Sequence, residues 1–130
     1  MGFDQYHEPP GELPDETRTF ARLCTSLTEE AEAIGWYAQR MAVEADREAL
    51  AIMGNAQGEE FKHFCMDLEF LLRRTPLWRE IAEGILFVEG EIVAHGEEAE
   101  EEAFVDAAER GAPVAGTTSL GIGSLRGAGS

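Results

Sequence analysis

The chain has 130 residues, with 26 Asp and Glu against 10 Lys and Arg and a formal net charge of −16. Nucleic acids and anionic membranes are poor partners for such a surface, because both are gripped by Lys and Arg; cations and basic surfaces are better ones. With 44% apolar residues the length allows one core of modest size, and no stretch approaches the roughly 20 apolar residues of a membrane-spanning helix.

Residues 1–13 carry two of the five prolines and no apolar period, so they read as an irregular arm without the basic and apolar regions of a secretion signal. From Asp15 to about Glu44, Phe20, Leu23, Leu27, Ile34 and Met41 recur at helical steps, with Ala31 and Ala38 on the same stripe. Asp46 then caps a second helix that stops near Arg74, because Pro76 biases Thr75 away from helical geometry. A connection of a few residues makes the two helices an antiparallel hairpin. The second helix is apolar almost all round: Met53, Phe64 and Leu71, then Leu50, Phe61 and Leu68, then Ile52, Met66 and Phe70 leave only Asn55, Lys62, Glu69 and Arg73 for solvent. One partner helix cannot cover it, so other chains must.

Thr75-Pro76 opens a short third helix with Trp78, Ile81, Ile85 and Leu86 on one side, ending by Gly90. Residues 14–90 are therefore expected to form one helical domain. Residues 91–118 read as an acidic flexible linker, with Glu97, Glu98, Glu100, Glu101, Glu102, Asp106 and Glu109 and no nearby base before Arg110. From Gly111 onward Gly, Ala, Thr and Ser dominate, giving a disordered C-terminal tail. The expected class is all-α. Cys24 and Cys65 lack metal-type spacing and suit a reducing cytoplasm as small buried thiols.

Within the second helix, Glu60 and His63 are three apart and share a face with Met53, Phe64, Asp67 and Leu71. In the first, Glu30 stands inside the apolar stripe, three after Leu27 and four before Ile34. Burying such carboxylates unpaired costs several kcal/mol, so each needs a cation, a donor or a proton. A carboxylate-bridged di-iron site in a four-helix bundle uses a Glu from each of two helices and a Glu-x-x-His from each of two others. One chain holds half of that set, and two chains related by a two-fold axis would complete both bundle and site. A salt bridge on a helix surface is the alternative reading of Glu60 and His63. Iron, manganese or zinc would suit the oxygen and nitrogen donors.

Glu29-Glu30-Ala31-Glu32-Ala33-Ile34-Gly35-Trp36-Tyr37-Ala38-Gln39-Arg40, the stretch 55–66 around Glu59-Glu60-x-x-His63, Leu71-Leu72-Arg73-Arg74 and Leu86-Phe87 resemble the encapsulated ferritins. The resemblance implies a ferritin-like four-helix bundle completed by dimerisation, five dimers closed into a ring-shaped decamer, and packaging of the ring inside a cytoplasmic encapsulin shell. It implies a ferroxidase that oxidises Fe²⁺ with dioxygen for mineralisation in the shell. Glu30, Glu60 and His63 would be the iron ligands and Tyr37 would lie close by. An outer metal site, open to other divalent cations, falls on Glu29 and Glu32 beside Trp36. Gly35, Gly54, Gly58 and Phe61 depart from the family pattern.

The end of the chain, Ser119-Leu120-Gly121-Ile122-Gly123-Ser124-Leu125-Arg126, resembles the peptide by which such cargo docks on encapsulin, so residues 119–130 are assigned to targeting. Leu120, Ile122 and Leu125 on a Gly-rich tether can fill apolar pockets. A rubrerythrin-like peroxidase and a non-enzymatic, metal-binding architectural cargo protein are the alternative functions. His7 and His95 have no assigned role.

Overall fold

A computed structural model describes residues 6–111, all of whose regular elements are helices. Leu120, Ile122 and Leu125, and with them the expected targeting segment 119–130, lie outside the described residues. Pro10–Glu12 forms one 3-10 turn in the arm expected to be irregular.

Helix α1 runs from Asp15 to Val43 behind Pro14, with Asp15 and Glu16 placing negative charge in its first turn, where free backbone N–H groups favour it. Helix α2 spans Arg47–Arg73, and Asp46 caps it as the sequence predicts, Oδ1 accepting from the Ala49 N–H at 2.9 Å. Glu44 Oε1 accepts from the Ala45 and Asp46 N–H groups at 3.1 and 2.9 Å, so carboxylates hold the turn of 44–46 on both sides. The two helices pack antiparallel along their lengths.

Very little of this hairpin is fully covered. Among the described hydrophobic residues of α1 and α2, only Leu71 and Leu72 are buried, while Trp36, Ile52, Phe61 and Met66 are more than half exposed in the single chain. Cys24 is half-buried and Cys65 is exposed, which corrects the expectation that both thiols are buried. Cys65 falls beside Met66 on an α2 face that the hairpin leaves open.

The described residues fall into two compact units that divide between Arg74 and Thr75, not at 90. In the second unit, α3 covers Pro76–Glu83 and ends seven residues earlier than Gly90, so Ile85 and Leu86 lie in the following turn. Phe87 there has a φ of 63° and is fully exposed, an uncommon backbone state for a residue with a side chain. Gly90 has a φ of 109°, and the His95 ring lies over it with Nε2 2.7 Å from the Glu89 carbonyl oxygen.

The acidic stretch expected to be a flexible linker is helical instead. Helix α4 spans Ile92–Glu109 and packs on α3. Its buried residues are Ala99, Ala103 and Ala107, one face at steps of four. Small side chains let the backbones approach: a Cβ on Gly84 would fall 2.5 Å from the Ala99 Cβ. Arg110 closes the pair at 2.7 Å from Glu80 Oε1. The glutamates of α4's solvent face dominate its composition and mask the alanine stripe behind them. No helix among the described residues is long and apolar enough to cross a membrane.

Candidate metal centre

The middle of the hairpin is registered by one long-range bond. Gln57 Nε2 donates to the Ile34 carbonyl oxygen at 3.1 Å. Glu30 is one turn before Ile34 and Glu60 about one turn after Gln57, so antiparallel packing sets them at the same level. His63 and Asp67 follow Glu60 on the same side of α2, at three and seven residues.

Within α2, His63 Nδ1 lies 3.3 Å from Glu60 Oε1, with the two side chains 42% and 24% exposed. The neighbouring Glu59 turns outward and pairs with Lys62 at 2.6 Å, which holds its carboxyl below the usual range. Two adjacent glutamates thus have different environments. One faces the hairpin, the other solvent.

Glu30 is the most perturbed acid. Its Oε2 is buried and receives no hydrogen bond among the described residues. Burial, followed by a hydrogen-bonding contact with the Asp67 carboxyl, the Asp67 charge and the Glu60 charge, pushes its pKa up to about 7, against a lowering by His63. Two carboxyls in contact have no donor between them unless a proton is shared, and a bound cation satisfies the same oxygens. Asp67 is visible in the sequence as a member of the α2 stripe. Its approach to Glu30 depends on register across the hairpin, which no spacing within α2 reveals.

Chemically the group consists of three carboxylates and an imidazole on the facing sides of the hairpin, with Asp67 about 10 Å along α2 from Glu60, a donor set that fits iron, manganese or zinc. Among the described residues of one chain, no three His, Cys, Asp or Glu converge as a finished cation site. Glu30, Glu60 and His63 are therefore neighbours on an open face. Glu29 and Glu32 are both exposed, with Trp36 52% exposed beside them. Tyr37 is half-buried, carries the Arg40 guanidinium 5.3 Å from its ring centroid, and stands about 10 Å along α1 from Glu30.

Known proteins share this arrangement of sequence. The EncFtn-like family matches residues 5–89, a span that includes Glu30, Glu60, His63 and Asp67. An encapsulated ferritin-like protein from Rhodospirillum rubrum is 42% identical over 123 residues, covering 93% of this chain and 87% of that protein. A ferritin-like protein from Thermotoga maritima is 41% identical over 95 residues, covering 73% of this chain and 83% of that protein. The crystal structure of protein ne0167 from Nitrosomonas europaea matches with a TM-score of 0.66 at 39% identity, covering 68% of this chain and 98% of that one. With a family match over its whole helical hairpin and a 42% identical relative along 93% of its length, the chain belongs to the EncFtn-like family.

Proposed function

We propose that the chain is a ferroxidase whose di-iron centre is completed by two copies of the hairpin. The observation that carries this reading is Glu30, a carboxylate with a buried, unpartnered oxygen that faces the Glu60 and His63 side of α2 from the opposite helix. Two further features support it. The hairpin leaves Ile52, Phe61 and Met66 exposed, apolar surface that a second copy would cover. The names of the relatives from R. rubrum and T. maritima describe ferritin-like proteins, one of them encapsulated.

Fe²⁺ is the substrate, and each ion gives up one electron to dioxygen. Glu60, the least exposed member of its pair with His63, offers two oxygens that can bridge neighbouring ions. Glu30 and His63 from each chain would complete the donor set that holds the two ions. Carboxylate oxygens are hard donors and stabilise Fe³⁺ over Fe²⁺. Glu29 and Glu32, exposed beside Trp36, form an outer collecting site on the way in. Tyr37, with the Arg40 cation over its ring, would lie close to the metals.

Residues 119–130 dock the assembly on the inner wall of an encapsulin shell through Leu120, Ile122 and Leu125, and Fe³⁺ leaves the ring to mineralise there. Glu60→Ala and His63→Ala each abolish the fast oxidation of Fe²⁺ in stopped-flow absorbance; an unchanged rate in either contradicts the ligand assignment. Deleting residues 119–130 leaves oxidation intact and stops co-purification with a co-expressed shell.

A further inference from the structure

Resting on the ferroxidase reading, we propose that Asp67 is a fourth residue of the centre, a carboxylate facing Glu30 that adds negative charge to each half and favours the ferric state. Its place follows from the fold. Asp67 is half-buried, seven residues after Glu60 and four after His63, on the α2 face that Glu30 meets from α1. The register is held by Gln57 on the Ile34 carbonyl. Asp67 is close enough to Glu30 to help raise its carboxyl, and the buried Oε2 of Glu30 has no donor among the described residues.

Two carboxylates are a poor pair for one another and a good pair around a cation. Counting charge makes the consequence specific. Glu30 and Glu60 from two chains balance two Fe²⁺, whereas adding both Asp67 carboxylates balances two Fe³⁺. Asp67 therefore lowers the Fe³⁺/Fe²⁺ potential and strengthens the hold on either ion, without having to touch the metal. It acts as a positioning and charge-tuning residue for Glu30.

Full-length wild type, Asp67→Asn and Asp67→Glu, each checked for assembly by size exclusion, are titrated anaerobically with Fe²⁺ and separately with redox-inert Zn²⁺ at pH 8. Asp67→Asn keeps the stoichiometry, binds either ion about tenfold or more weakly, raises the midpoint potential of the iron, and yet melts higher than wild type when metal-free, because the like-charge contact is gone. Asp67→Glu restores affinity and potential. A purely structural aspartate would lower metal-free stability and metal binding together, and that result overturns the proposal. So does wild-type affinity and potential in Asp67→Asn. Wild type that takes up neither ion overturns the metal-centre reading itself, a failure distinguishable from that of Asp67 alone.

Discussion

At the level of single side chains, the raised Glu30 carboxyl would link the proposed metal uptake to protons. Its pKa is about 7 in the folded chain against an ordinary 4.5. Between those values the folded state holds a proton that the unfolded state has lost, so this group's stabilising contribution is whole below 4.5 and is lost as pH rises through 7. Metal-free protein should therefore melt progressively lower from pH 5 to pH 8, and Glu30→Gln should flatten that decline. Metal uptake runs the other way. Zn²⁺ binding should release protons at pH 6, strengthen up to pH 8 and change little above it, which calorimetry in buffers of different ionisation enthalpy reads directly. Glu59→Gln serves as the control, because Glu59 faces solvent with Lys62; it should leave metal affinity unchanged. Helical period alone separates Glu60 from Glu59 in the sequence. It does not reveal the contact between Glu30 and Asp67, which needs the register of two helices as well as the pattern of each.

For whole elements, the hairpin was legible because its signals agree: an amphipathic α1, an Asp46 cap and a proline stop after α2. In the second unit the start of α3 at Thr75-Pro76 was legible too, but α4 was not, because alanine contributes little to an apolar pattern while seven acids around it dominate the composition. Its packing is nevertheless specific. Ala103 is 2% exposed, so Ala103→Leu should overpack the α3–α4 contact and cost about 1–3 kcal/mol, read as loss of helical signal at lower temperature. Iron binding by α1 and α2 should survive that change, as the two units are separate compact bodies. The glycines of the hairpin behave differently. Gly35 and Gly58 have open space where a Cβ would go and no left-handed φ, so each Gly→Ala change should stabilise the metal-free chain by up to about 1 kcal/mol. Lower stability in either variant would mean that a second chain's backbone approaches there.

Considered as a whole, the molecule carries more exposed apolar surface on α2 than one hairpin can use, together with half of a ligand set. On the proposed reading, both deficits would be met by one operation, the pairing of two copies about a two-fold axis. Melting should consequently depend on protein concentration and rise with bound metal, since anything that binds only the folded, paired form stabilises it. The net charge of −16 adds a cost to that pairing that divalent cations relieve. Dilution in the absence of metal should release monomers or loosened dimers in analytical ultracentrifugation, and Fe²⁺ under anaerobic conditions should reverse it. The most direct test is an anaerobic Fe²⁺ titration of the full-length protein followed by admission of oxygen, with Fe³⁺ recorded in the near-ultraviolet. Tight binding that saturates at one iron per chain, then oxidation well above the protein-free rate, is the predicted result. Saturation without accelerated oxidation, or no tight binding, would contradict a two-iron ferroxidase centre shared by two chains.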